Sequence, residues 1–260
     1  MPHLLNVWPR VSRQIAGADH VLLLLDYDGT LAPIAGRPDL AVLPPRTREA
    51  LLAVQRLARF TLGIVSGRGL ADVREMAGIP GLVYAGNHGL EIESSDEAFI
   101  HPEAKELRPH LDLVLEALQE RLSDLQGVFV EGKGLTLSVH YRLTPEELRP
   151  QLMEEFDEVM GRVALGERIR ITKGKEILEV RPRVDWHKGR AITRISAGFP
   201  HGTLPIYFGD DLTDEDGFQA VHELNGITVF VGPARQPTKA QYRVDSPAEV
   251  AETLELLARL

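Results

Sequence analysis

The segment Val21–Ile34, VLLLLDYDGTLAPI, drives five apolar residues into two carboxylates, Asp26 and Asp28, spaced one residue apart ahead of Gly29 and Thr30. Three more apolar runs end on side chains capable of chemistry. Ser66, Gly67 and Arg68 follow FTLGIV, Asn87 and His88 follow GLVYAG, and Asp210, Asp211 and Asp214 follow LPIYFG. If these runs are neighbouring parallel strands, their carboxyl ends gather on one sheet edge, where α/β folds bind ligands. Carboxylates collected there repel one another unless a cation lies among them. The donors are hard oxygens, with no cysteine and no paired histidines, which favours Mg2+ over zinc.

The elements that must position these groups follow from periodicity. Val21–Leu25 is apolar on both side-chain parities, as in a strand buried on both faces. Further strands are expected at Phe60–Arg68, Gly81–Gly89, Leu204–Asp216 and Gly226–Gly232, and helices at Pro45–Phe60 and Leu70–Ala77. The alternation implies a doubly wound parallel α/β sheet. A closing helix over SPAEVAETLELLARL is expected to be capped by Ser246, with Pro247 at its first position.

Between these parts the rhythm changes. Helices at Pro102–Leu125 and Pro145–Met160 alternate with strand pairs at Val128–Lys133 with Leu135–Arg142, and at Arg168–Thr172 with Glu176–Arg181. This αββαββ order predicts an inserted α+β domain over residues 103–182, within a core of residues 1–102 and 183–260. In its second strand Leu135, Leu137, Val139 and Tyr141 share one face, and Thr136, Ser138, His140 and Arg142 the other. Glu131, Lys133, Glu179 and Arg181 join the polar face, a surface of mixed donors and acceptors that suits a polyhydroxylated ligand.

Composition excludes several classes. The 260 residues carry 43% hydrophobic and 26% charged side chains, ordinary for a globular protein. A net charge of -9 and a pI near 5.5 argue against broad binding to nucleic acid or an acidic membrane. The lack of cysteine excludes disulfides and thiolate zinc sites. No signal peptide is read in MPHLLNVWPR, and a run such as Val21–Leu25 is far short of the ~20 residues that span a bilayer. A cytoplasmic monomer with a small-molecule substrate is the expectation.

DYDGT behind a buried strand resembles the first motif of the haloacid dehalogenase superfamily of phosphohydrolases. The resemblance implies that Asp26 attacks phosphorus and that Asp28 is acid for the leaving oxygen, then base for water. It implies that Ser66 holds a phosphoryl oxygen and that Lys188, in WHKGR, offsets the charge. Mg2+ would be held by Asp26, the Asp28 carbonyl and Asp210, with Asp211 and Asp214 direct or through water. Asp28 must then carry a proton in the first step, which calls for partial burial and adjacent carboxylates.

DYDGTLAPI, SGR, AGNHGLEI, VEGKGLTLSVHYR, GKEILEVRP and GDDLTDEDGF together resemble the trehalose-6-phosphate phosphatase family from about Leu22 to Gly232. That implies a HAD core with a C2-type cap, Mg2+ dependence and cleavage of trehalose 6-phosphate. By position, Ser66, Gly67, Arg68, Asn87 and His88 would sit near the sugar phosphate. Glu131, Lys133 and Glu179 would bind glucose hydroxyls, supported by His140 and Arg142. Rivals are a sucrose-6-phosphate or mannosyl-phosphoglycerate phosphatase, a phosphomannomutase and a non-catalytic sugar-phosphate binder.

Overall fold

In a computed structural model of the chain, all five residues of VLLLL are fully buried in the middle of a sheet, as the unbroken apolar run requires. The structure describes every residue except 96, 164, 165, 175 and 234–236, and the side chain of Pro38 is likewise left out. Lys175, within GKEILEVRP, therefore lies outside the described residues.

In chain order the strands are β1 (Val21–Leu25), β2 (Phe60–Val65), β3 (Val83–Gly86), β4 (Glu91–Glu93), β5 (Ala98–Ile100), β6 (Phe129–Gly132), β7 (Leu137–His140), β8 (Ile169–Gly174), β9 (Ile177–Pro182), β10 (Leu204–Gly209), β11 (Ile227–Val231) and β12 (Tyr242–Val244). The helices are α1 (Trp8–Ala16), α2 (Pro45–Gln55), α3 (Leu70–Ala77), α4 (Pro102–Leu122), α5 (Arg149–Arg162), α6 (Lys188–Ala197), α7 (Glu215–Glu223) and α8 (Pro247–Leu257). Two compact units divide the chain: Met1–Phe99 with Trp186–Leu260, and Ile100–Asp185.

The first unit is the expected doubly wound α/β fold. Among the described residues its sheet runs β12-β11-β10-β1-β2-β3-β4-β5, parallel from β12 to β3, with β4 antiparallel. Val21, Leu23 and Leu25 enter one core with residues of α1, α2, α3 and α8. Leu22 and Leu24 enter the other, with α6 and α7. Truncating one such leucine to alanine costs about 2–5 kcal/mol. The chain leaves β1 toward β2 on one side and reaches β10 on the other, so the crossovers diverge at β1 and leave a crevice at the strand ends.

Among the described residues the second unit is a four-stranded antiparallel sheet, β6-β7-β9-β8, backed by α4 and α5. Leu137, Val139, Leu178 and Val180 point into a core with Leu111, Val114, Leu118, Leu152 and Phe156.

Several expectations need correction. The Pro45 helix ends at Gln55, because Phe60 is drawn into β2 beside Val21. The third strand stops at Gly86, where Asn87 and His88 turn into the left-handed region at φ 51° and 57°. Ser246 precedes α8 but makes no side-chain cap; the Glu249 carboxylate instead accepts from the Asp245 amide at 2.6 Å. Thr136 and Ser138 are buried rather than solvated. Both are short, and Ser138 stands between the longer Glu131 and Glu179 in register. β7 ends at His140, so Arg142 leaves the strand face and pairs with Glu176 at 3.5 Å.

Candidate active site

Asp26 follows β1 directly, and its amide donates to the Phe208 carbonyl at 2.9 Å, continuing the ladder to β10. The residue is 5% exposed. Lys188, at the start of α6 and 3% exposed, donates from one ammonium to Asp26 Oδ1 at 2.8 Å and to Asp214 Oδ1 at 2.7 Å. The same Asp214 oxygen accepts from the Tyr207 hydroxyl at 2.5 Å. Its other oxygen accepts from the amides of Asp210 at 2.9 Å and Asp211 at 3.1 Å. Asp211 accepts from the Thr213 amide and hydroxyl, both at 2.7 Å, and forms a capping box with Asp214. GDDLTD is thus both an acid cluster and a helix start.

The electrostatics are lopsided. Asp26, Asp210 and Asp214 each offer a carboxylate oxygen within 4.8 Å of the others, and the Lys188 ammonium bonds two of the three. Burial, then Asp214 and Asp210, push the Asp26 carboxyl well above its usual range even against Lys188. Burial, then Asp214 and Asp211, raise Asp210 to about 7. Burial works against the Lys188 ammonium, but Asp214 and Asp26 outweigh it and hold its pKa well above normal. An all-oxygen donor set with surplus negative charge fits a hard divalent cation. Asp26 and Asp210 are the better ligands. The four acceptor positions of Asp214 are already filled by Lys188, Tyr207 and the two amides, which makes it the poorer ligand despite its proximity.

Gly29 makes the close approach possible. Its φ is +83°, and a Cβ there would come within 2.2 Å of Asp210 Oδ2. Gly67 admits the His88 ring, which a Cβ would meet at 2.8 Å. Ser66 is buried, and its hydroxyl oxygen accepts from the Arg68 amide at 3.2 Å, which leaves its proton to donate. His88 donates its amide to the Ser66 carbonyl at 2.8 Å, and the Asn87 side chain donates to Glu91 at 2.6 Å.

Asp28 departs from expectation. It is half-exposed, which meets the expected partial burial, but its charged partner is a guanidinium rather than further carboxylates: Arg68 donates from Nε to Oδ2 at 2.6 Å and from a terminal nitrogen to Oδ1 at 2.8 Å. Tyr207 was missed altogether. A buried strand tyrosine needs a hydroxyl partner, and that was the available signal. Asp72, which holds Arg68 at 3.0 Å, was missed too.

In the second unit, Lys133 Nζ lies 3.6 Å from Glu179 and 4.0 Å from Glu131. His140 Nε2 and Glu131 are 2.7 Å apart, and Arg181 is 3.5 Å from Glu179. The expected residues other than Arg142 form one polar cluster across β6, the turn after it, β7 and β9.

A sequence model of the trehalose-phosphatase family matches residues 24–248. Trehalose-phosphate phosphatase B of Arabidopsis thaliana is 32% identical over 98% of this chain and 71% of its own length. A trehalose-phosphate phosphatase of Mycobacterium bovis is 37% identical over 91% of this chain and 61% of its own. The solved C-terminal domain of C. albicans trehalose-6-phosphate phosphatase superposes with a TM-score of 0.80 at 27% identity, covering 100% of this chain and 98% of that one. With its acid-bearing strand ends on the same fold, the chain belongs to the trehalose-phosphatase family of phosphoric monoester hydrolases.

Proposed function

We propose that the protein hydrolyses trehalose 6-phosphate to trehalose and phosphate through a phosphoryl group carried on Asp26. The observation that carries this reading is the Lys188 ammonium shared between Asp26 and Asp214 beside Asp210. A weak carboxylate nucleophile becomes usable where positive charge offsets both it and the phosphate. Lys188 takes Oδ1 of Asp26 and so orients the attacking carboxylate. Ser66 donates its hydroxyl proton to a phosphoryl oxygen. Asp28 gives a proton to the departing sugar oxygen, then receives one from the water that frees Asp26. Asp214 holds Lys188, Tyr207 and the two amides before it, and so sets the acidic turn.

Asp26, Asp210 and the Asp28 carbonyl would hold Mg2+, with Asp211 contributing through water. Bound there, the ion would offset the surplus carboxylate charge and that of the phosphate. Glu131, Lys133 and Glu179 of the inserted unit are read as the sugar-binding groups, their donors and acceptors matching a disaccharide's hydroxyls.

The test is phosphate release from trehalose 6-phosphate, sucrose 6-phosphate, mannosyl phosphoglycerate and mannose phosphates, with Mg2+ or with chelator. Trehalose 6-phosphate should be the best substrate, with activity lost on chelation and abolished in Asp26→Asn. Equal rates on sucrose 6-phosphate would overturn the substrate, and isomerised sugar phosphate without phosphate release would indicate a mutase.

A further inference from the structure

Resemblance casts Arg68 as a substrate ligand, yet its donors are engaged within the protein. Besides the two bonds to Asp28, it donates to Asp72 Oδ2 at 3.0 Å, and its guanidinium carbon lies 5.6 Å from the Tyr27 ring centroid. Its main chain is pinned as well: the amide donates to Ser66 Oγ at 3.2 Å, and the carbonyl accepts from the Asn87 amide at 2.6 Å. Arg68 is 6% exposed, whereas the Asp28 side chain is 37% exposed. A half-exposed carboxylate on a turn has several rotamers available, and a buried, three-point-anchored fork selects one.

We propose that Arg68 is the positioning residue for Asp28 in the second, water-activating half of the reaction. This rests on the acid–base reading of Asp28. Both Asp28 oxygens accept from Arg68, an arrangement suited to a group that receives a proton and unsuited to one that donates it. In that half, a water oxygen bonds to phosphorus and one water proton passes to Asp28. The bond from phosphorus to the Asp26 oxygen breaks, and its electron pair returns to Asp26. The first half, in which Asp28 donates, requires the fork to let go and gains nothing from it.

Rapid-quench kinetics on trehalose 6-phosphate with the intact protein separates the halves. In Arg68→Gln, trehalose formation in the first turnover stays within about 3-fold of the parent while steady-state phosphate release falls about 30-fold, a share of what general acid–base catalysis supplies. Trehalose therefore appears as a burst, and the protein gains the mass of one phosphoryl group. Arg68→Lys, which keeps the charge and loses the fork, falls between the two. In an Asp28→Asn background, Arg68→Gln adds no further loss. If Arg68→Gln does not fold, Asp72→Asn carries the test at an exposed side chain, with a burst in the same direction.

Equal slowing of the first turnover and the steady state would overturn the proposal. So would a raised KM at unchanged kcat, or multiplying losses in the double variant, each of which makes Arg68 a substrate ligand. Undiminished phosphate release in Asp28→Asn would instead overturn the acid–base reading on which the proposal rests.

Discussion

Asp214→Asn separates a scaffold from a metal ligand, because the two roles predict opposite signs in chelator-treated protein. Asp214 is fully buried and accepts from Lys188, Tyr207 and the amides of Asp210 and Asp211. Asparagine has one oxygen, able to serve two of these donors, and an NH2 group that faces the other two. Two acceptances are lost and two buried donors are left unsatisfied, for a total of about 3–5 kcal/mol. In a chain of this size that lowers the melting temperature by about 10 °C. The assay is thermal unfolding in chelator, followed by an Mg2+ titration. Were Asp214 chiefly a ligand, removing one of three crowded carboxylates would relieve repulsion. An unchanged or raised melting temperature in chelator would therefore refute the scaffold argument.

Asp210→Asn should behave in the opposite way and stabilise the chelated protein near neutral pH. Its carboxyl rises on folding from 3.8 to about 7. The raised value contributes stability that is complete below pH 4 and lost as pH climbs through about 7. Melting temperatures in chelator should thus fall across that window, and added Mg2+ should flatten the fall. Gly29→Ala forces a side chain into the left-handed region and against Asp210. About 1–3 kcal/mol of stability should be lost, and turnover should drop by more than about 10-fold as the acid is displaced. Glu179→Gln and Lys133→Met, changed singly, should raise KM for trehalose 6-phosphate by about 10-fold. Turnover of p-nitrophenyl phosphate, which has no sugar to bind, should hold. An unchanged KM would remove the inserted sheet from recognition.

Local pattern carried much of the architecture. The unbroken run Val21–Leu25 and the bounds of Leu70–Ala77 were legible because their periodicity and their punctuation lie within a few residues. So was the presence of acids at the ends of β1 and β10, although the strand expected to run to Asp216 stops at Gly209, where the acidic turn and α7 take over. The three-residue strands β4, β5 and β12 and the helix α1 escaped notice. Strands that short have little local preference and exist only through the neighbours they pair with.

Sequence alone determined which chemical groups are present, that they follow buried strands, and that oxygen rather than sulfur or paired imidazole would meet a cation. Tertiary structure decided how they are shared out. Lys188 reaches Asp26 across 162 residues of chain, and Arg68 reaches Asp28 across 40. Such pairings come into being only when the sheet draws distant strand ends together. A carboxylate's neighbours, which set its proton affinity and its free lone pairs, are a property of that assembled edge.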